Sequence, residues 1–425
     1  MDALTLSHIL MIIVFSLGYL AIAIEHILKV NKTAIALLMS VLCWICYFTG
    51  VGATSEASAK ELCHHLADTS QIVFFLLGAM ALVELIDVHN GFHMISKYMK
   101  THSKPKMLFL VTVIAFCLSA VIDNLTATIV MISVIRKLVA GREDRLLLGS
   151  MVVIAANAGG AWTPIGDVTT TMLWIAGRLT TGPLMLKLIL PSMACVLGSF
   201  FMLSRKMRGE FHGVEDTIKI SSEPFGNLVL GLGLLGLMAV PILKASIGIP
   251  PFMGMLIGLG VLWLITDLAH TPHKERKHLM VPHVLSRIDT AGVLFFLGIL
   301  LAVAALEASG ILMAVARWLD LAIGSPTGIA TFIGLFSSIV DNVPLVAATI
   351  GMYGVKAHAI NTHLWLMIAL CAGTGGSILI IGSAAGIAFM GLEKVNFLWF
   401  LKRISLSALV GYGCGIAVFL LQSLL

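Results

Sequence analysis

Charge is what this chain lacks. Asp, Glu, Lys and Arg make up 12% of its 425 residues, against about 25% in an ordinary soluble domain. Hydrophobic residues make up 59%, and the mean hydropathy is +1.01. A water-soluble globular fold is thereby excluded. The small net charge of +5 sits in connections between apolar runs, so nucleic acid is not expected as a partner. No basic segment precedes the first apolar run, and no cleavable signal peptide is read. Cysteine is sparse, at seven residues. Cys43-Trp-Ile-Cys46 has a redox spacing but apolar flanks and no βαβ context, so it reads as small apolar packing.

What is present is a series of apolar stretches of about 20 residues, each long enough to cross a bilayer. Spans are read near 8–28, 33–53, 69–88, 147–177, 183–204, 226–244, 251–268, 290–308, 361–390 and 404–424. The fold class is an all-α polytopic membrane protein with about ten transmembrane helices. Two more apolar segments, 106–138 and 326–355, are each broken near the middle by a polar phrase.

Lys and Arg set the orientation. Of 27 such residues, 21 fall in one set of connections, including Lys29, Lys32, Lys97, Lys100, Lys219 and Arg287. The other six, among them Lys60, Arg178, Lys244, Arg317 and Lys356, lie towards the opposite side. The first set is placed in the cytoplasm and both termini outside. Segment 106–138 then has basic residues, hence cytoplasm, at both ends, while 326–355 fits the outside at both ends. Each reads as a re-entrant hairpin. Irregular backbone at that depth needs protein or a water-filled cavity around it.

The two polar phrases are near-copies. Ser119-Ala-Val-Ile-Asp-Asn-Leu recurs about 218 residues later as Ser337-Ser-Ile-Val-Asp-Asn-Val. A charge at the centre of a membrane helix costs about 2.5–3.5 kcal/mol on insertion scales, and here it is placed twice. Behind each phrase lies a broken helix: Gly159-Gly160 to Gly166-Asp167, and, offset by 216, Gly375-Gly376 to Gly382-Ser383. One half enters from outside and the other from inside. The reading is an inverted repeat: residues 1–208, a cytoplasmic linker 209–225, and residues 226–425. Transporters of that architecture bind their ions where the broken elements meet.

The chemistry offered there is oxygen, which hard cations require. The first half supplies Asp123, Asn124, Thr126, Asn157, Thr163, Asp167, Thr169 and Thr170. The second supplies Ser337, Asp341, Asn342, Ser377 and Ser383. Asp167 is matched by Ser383, so charge is unequal between the halves. Capping of helix starts is the competing structural role for the three Asp residues, and helix bridging is that of Asn157. Glu84 and Glu307 lie towards span ends and suit gates or interfacial pairs. His64-His65 reads as an outer loop, and His270, His273, His278 and His283 as a solvated basic loop.

At these residues the chain resembles the NhaD-type sodium/proton antiporters, within the ion transporter superfamily that also holds arsenite permeases and dicarboxylate/sodium symporters. The resemblance rests on Asp123-Asn-Leu-Thr-Ala-Thr128, on Asn157 to Thr170, on Ser337 to Pro344 and on the run from Gly375 to Gly386. In the dicarboxylate branch the hairpin tips look like Ser-Asn-Thr; here Asp stands in both. The likeness implies Na⁺ or Li⁺ exchange for H⁺ across a bacterial inner membrane, a role in pH homeostasis, and a homodimer with a scaffold region and a mobile transport region. It implies no cofactor beyond the transported ions, and no enzyme.

The expected mechanism is competition. Asp123, Asp167 and Asp341 hold either protons or Na⁺, and alternating access exposes the site to each side in turn. Asn124, Asn157, Thr169, Thr170, Ser337 and Asn342 complete the coordination. A sodium-coupled anion symporter of the same fold is the alternative; three carboxylates and the lack of an intramembrane Arg cluster oppose it. An intramembrane aspartyl protease would pair Tyr-Asp with Gly-x-Gly-Asp, and neither pattern occurs. A non-transporting membrane scaffold would have no need of a charged inverted repeat.

Overall fold

A computed structural model describes the chain except residues 1–4, 24, 51–53, 93–94, 96–98, 100, 212–223, 272–273, 354–357 and 425. The first half runs α1 (Leu6–Ala23), α2 (Glu25–Leu28), α3 (Lys32–Gly50), α4 (Ser55–Val88), α5 (Lys104–Ser119), α6 (Asn124–Leu138), α7 (Arg142–Gly160), α8 (Val168–Ile175) and α9 (Thr181–Ser204). The second runs α10 (Gly226–Ile247), α11 (Pro251–His270), a 3-10 turn (Lys274–Leu279), α12 (Val281–Leu285), α13 (Thr290–Ala308), α14 (Ile311–Ile323), α15 (Pro326–Phe336), α16 (Asn342–Met352), α17 (His363–Gly375), α18 (Ala384–Glu393), α19 (Phe397–Arg403) and α20 (Ser405–Leu424). Among the described residues the one β feature is an isolated bridge between Ser103 and Glu210.

Seven described helices, α3, α4, α9, α10, α11, α13 and α20, are long and apolar enough to cross a membrane. Two bent pairs, α14 with α15 at 112° and α18 with α19 at 115°, raise that count to nine. The ten spans read from the sequence correspond to the seven helices, α1, and the interrupted pairs α7–α8 and α17–α18. The hairpin segments appear as α5–α6 and α15–α16, each broken at its Asp-Asn phrase. Leu and Ile side chains cover the outward faces, as lipid requires: Leu17, Leu38, Leu186, Leu235, Leu268 and Leu406 are all well exposed.

Two boundaries differ from the hydropathy reading. Helix α4 begins at Ser55, not near residue 69, because the Thr54 hydroxyl accepts the Ala57 N–H at 3.2 Å and caps it. Hydropathy starts a span where charge stops, whereas Ser-Glu-Ala-Ser-Ala-Lys-Glu-Leu is a good helix former with a proper cap. His64 and His65 therefore stand on a helix rather than in a loop. Similarly α11 continues to His270, which is fully buried with its Nε2 3.0 Å from His89 Nε2. His270 is thus not part of a solvated loop, although His278 and His283 are exposed. Lys97, Lys100, Lys219, Lys356 and His273 and most of the linker 209–225 lie outside the described residues. Helix α14 is amphipathic and is bounded by Gly310 (φ 77°) and Gly324 (φ 71°).

Burial divides into two large apolar clusters and a small third one at Ala81, Leu259 and Ile288. One is built on α1, α3, α4, α10, α11 and α13, with α3 and α4 packed on α13 and α10 on α11, and it also takes in residues of α6, α8 and α16 such as Ala127, Met172 and Val343. The other joins α5 to α9 with α15 to α20, α9 lying along α20. Within the second, α5 packs on α7 and α15 on α17. Glycine permits that approach. A Cβ on Gly159 would collide with the carbonyl of Phe116, and one on Gly375 with that of Gly334. The Ser119 hydroxyl donates to the Ala156 carbonyl (2.6 Å), and the Ser337 hydroxyl to the Ala372 carbonyl (3.1 Å). Each pairing links a hairpin tip to its broken helix at matching positions of the two halves.

Candidate ion site

The hairpin breaks and the helix breaks converge. Asp123 is the N-cap of α6; its carboxylate accepts the Thr126 N–H (2.9 Å) and hydroxyl (2.6 Å). Asp167 is the N-cap of α8, and its Oδ1 accepts both the N–H and the hydroxyl of Thr169, each at 2.9 Å. Thr170 donates to the Asp167 carbonyl (2.9 Å). Thr163 donates to the Ala120 carbonyl (2.8 Å) and accepts the Gly166 N–H (3.0 Å), which pins the turn between α7 and α8 to the first hairpin tip. Capping and site geometry are therefore the same contacts: the carboxylates are fixed by the helix starts they satisfy.

A buried amide network ties these parts together. Asn124 Nδ2 donates to Asp167 Oδ2 and to Asn157 Oδ1, both at 2.9 Å. Asn157 Nδ2 in turn donates to Ser377 Oγ and Ser383 Oγ, again both at 2.9 Å. Asn157 is 0% exposed and Asp167 1%. One side chain on α7 thus joins the first hairpin tip to the turn before α18, and Ser383 caps α18 through the Gly386 N–H (3.2 Å). Asn157 is a bridge by geometry, with its oxygen and both amide hydrogens engaged.

The second tip is arranged differently. Ser337 donates to the backbone at Gly334 and Ala372. Asp341 Oδ1 and Asn342 Nδ2, however, are buried atoms with no hydrogen-bond partner among the described residues. The sequence accounts for this. The position matching Asn157 is Gly373, and the one matching Asp167 is Ser383. The two acceptors that engage Asn124 Nδ2 have no carboxylate or amide counterparts in the second half. A buried polar atom without a partner costs about 1–3 kcal/mol, so these two atoms, unlike the Asn124 amide and the Asp167 carboxylate, are not satisfied by side chains of the described residues; the backbone N–H groups of Asn342 and Val343 are the protein donors that act on the Asp341 carboxylate.

Three cavities border these elements. One of about 70 Å³ touches Asp123, Asn124 and Thr126, and also Phe75, Asp289 and Phe296. One of about 110 Å³ lies beside Asp341, walled by Tyr19, Glu25, Lys32 and Phe295. The largest, about 420 Å³, holds Glu307, Arg178, His64, His65 and Asp68, and touches none of the three candidate Asp residues. Glu84 is not there: it pairs with Arg287 (2.9 Å) at the far end of α4. Among the described residues no group of three or more His, Cys, Asp or Glu is arranged to hold a metal. The candidate cation ligands are carboxylate, amide and hydroxyl oxygens, which suits a weakly held hard cation.

Sequence reasoning missed three neighbours of the tips. Thr171 donates to the Pro164 carbonyl (2.9 Å) and lines the first cavity. Tyr19 and Lys32 line the second together with Asp341. Thr171 was legible in the run of three threonines after Asp167. The other two carry no local signal, since they come from helices more than 300 residues away in the chain.

Comparison with known proteins fixes the family. A family model described as citrate transporter matches residues 11–373. Sodium/proton antiporter 1 of Arabidopsis thaliana is 51% identical over 415 residues, covering 96% of this chain and 72% of its own length. Sodium/proton antiporter 2 of the same plant is 48% identical, covering 96% and 98%. The Na⁺/H⁺ antiporter NhaD of Alkalimonas amylolytica is 30% identical, covering 96% and 89%. The chain belongs to the NhaD-type sodium/proton antiporter family. This NhaD-type chain is a multi-span membrane protein of the wider citrate transporter family, and its named relatives are transporters. They come from both plants and bacteria.

Proposed function

We propose that the protein exchanges Na⁺ or Li⁺ for H⁺ by alternating access, with the cation and the proton competing for intramembrane carboxylates. The observation that supports this best is the contrast between the tips. The Asn124 amide nitrogen and the Asp167 carboxylate are engaged by the protein, whereas Asp341 Oδ1 and Asn342 Nδ2 are buried without hydrogen-bond partners among the described residues. Loss of hydration favours a neutral carboxyl and a bound cation favours the ionised one. A carboxylate with an uncommitted oxygen can alternate between those two partners. Asp123 and Asp167 contribute charge from the first half, and Asn124, Asn157, Thr169, Thr170 and Ser337 hold the geometry.

In this reading the basic connections face the cytoplasm and both termini lie outside. Residues 1–208 and 226–425 are inverted repeats, and a homodimer is built on the body containing α3, α4 and α13. The cavity at Asp341 ends at Glu25 and Lys32, which the positive-inside argument places on the cytoplasmic side. That disposition accords with a site loading from the cytoplasm.

Proteoliposomes with a pH-sensitive dye inside and an imposed proton gradient test the proposal. Na⁺ or Li⁺ added alone restores the dye signal, and D341N abolishes the response while leaving membrane insertion intact. Uptake of a C4-dicarboxylate or of citrate that requires Na⁺, with no cation response, would replace antiport by sodium-coupled anion symport.

A further inference from the structure

The cavity beside Asp341 contains a cation that the exchange scheme does not use. Lys32 is the first residue of α3, at the positive end of a helix macrodipole, where a basic side chain is disfavoured. It is only partly exposed, and its ammonium sits 4.7 Å from the centre of the Phe295 ring. The Glu25 carboxylate is engaged with the Lys32 backbone N–H (3.2 Å). The ammonium and Asp341 line one small cavity without forming a direct ion pair among the described residues, and the Lys32 charge acts on Asp341 across it. The two ends of this pairing belong to different bodies. Lys32, Tyr19 and Phe295 stand on α3, α1 and α13, while Asp341, Ile381 and Met390 stand on the second hairpin and around α18.

Resting on the site reading above, we propose that Lys32 is a tethered cation that occupies Asp341 electrostatically whenever neither Na⁺ nor H⁺ is bound there. An ammonium held on one body attracts the bare carboxylate of the other and keeps the two bodies docked. Na⁺ neutralises that carboxylate by coordination and a proton does so covalently; either removes the attraction and frees the second body to reorient. The unloaded carrier is then the one form that stays in place. Lys32 enforces coupling, because return of an empty site would turn exchange into leak. It also competes with cytoplasmic Na⁺, so its charge raises the apparent Na⁺ KM on that side.

The test uses everted vesicles from a bacterial host without its own antiporters, with the full-length protein. K32Q is expected to lower the apparent KM for cytoplasmic Na⁺ roughly three- to tenfold, the effect of one nearby charge on a carboxylate site. It is also expected to permit downhill flux of radiolabelled sodium without proton counter-movement at alkaline pH, which the wild type resists. K32R retains both wild-type properties, and K29Q, at an exposed neighbour, changes neither. Should K32Q fail to reach the membrane, K32M, which keeps the stem against Phe295, carries the test. An unchanged KM with unchanged coupling in these variants overturns the proposal, as does K32R behaving like K32Q. A merely structural lysine would lower the maximal rate without lowering KM. Full exchange by D341N would instead sink the site reading on which this rests.

Discussion

The unequal hairpin tips make a matched-pair prediction. Asn124 and Asn342 occupy equivalent positions, and both are nearly buried, at 4% and 3% exposure. N124A removes two hydrogen bonds of 2.9 Å, one to a carboxylate and one to a buried amide oxygen, and strands both acceptors. A bond to a charged group is worth about 1.5–3 kcal/mol and a neutral one about 0.5–1.5, so the loss is about 2–4 kcal/mol. N342A removes no hydrogen bond to the described residues and deletes a buried donor without a partner; its cost in the absence of Na⁺ is within about 1 kcal/mol. At roughly 2 cal/mol/K of unfolding entropy per residue, 1 kcal/mol moves the midpoint of a chain of this length by about 1 °C. Thermal unfolding of purified protein in sodium-free buffer therefore separates the variants by about 2–3 °C. Saturating Na⁺ raises Tm for N124A, which keeps the second tip, and does so much less for N342A, because a ligand stabilises only what binds it. Equal losses in sodium-free buffer, or an undiminished Na⁺ response in N342A, would refute the assignment of unequal roles.

Two further outcomes follow from the same contacts. G375A places a methyl group against the Gly334 carbonyl and the Ser337 hydroxyl; backbone cannot yield as a side chain can, so destabilisation beyond about 3 kcal/mol is expected, read as loss of monodisperse protein, and a folded, fully active G375A would contradict the close approach. E84Q breaks a partly exposed pair with Arg287 that closes within the same body. Its cost is below about 1 kcal/mol and exchange is retained, so abolished exchange in vesicles with normal expression would show that Glu84 has a transport role after all.

Much of this architecture was legible because membranes leave a strong trace. Apolar length gave the spans, and the broken phrases at Asp123 and Asp341 gave the hairpin tips. The glycine pairs located both helix breaks, whose need for glycine is visible in how closely Gly159 and Gly375 approach the neighbouring limb. What hydropathy misjudged were the ends. Helix α4 extends through a charged stretch because capping at Thr54 and helix propensity, not apolarity, decide where a helix begins. The oxygen donors could be assembled from the sequence, but their commitments could not. That Asn157 has its oxygen and both amide hydrogens engaged, or that Thr163 ties its turn to the first hairpin tip, depends on contacts between segments more than 30 residues apart. The asymmetry of the tips was half legible: Ser383 in place of Asp167 was evident, whereas the effect of Gly373 in place of Asn157 needs the fold to bring α7 and α17 together.

The wider family is described by citrate, while the named relatives exchange sodium and protons, and the site bears on which chemistry this chain performs. A tricarboxylate needs fixed donors or cations at the point where a helix break exposes N–H groups. Here the N-terminus of α6 is occupied by the carboxylate of Asp123 and that of α8 by Asp167. Each helix start has already been given its anion by the protein itself, which forecloses the anion-binding use of those N-termini. Arg178, the guanidinium nearest in the sequence to Asp167, turns away: it lies over Trp365 (5.2 Å) and contacts the Ile350 carbonyl in the separate large cavity. Replacing Ser by Asp at a hairpin tip therefore does two things at once. It opposes an anion at that helix start and supplies a group that a proton can neutralise, which is the pair of properties the proposed exchange requires.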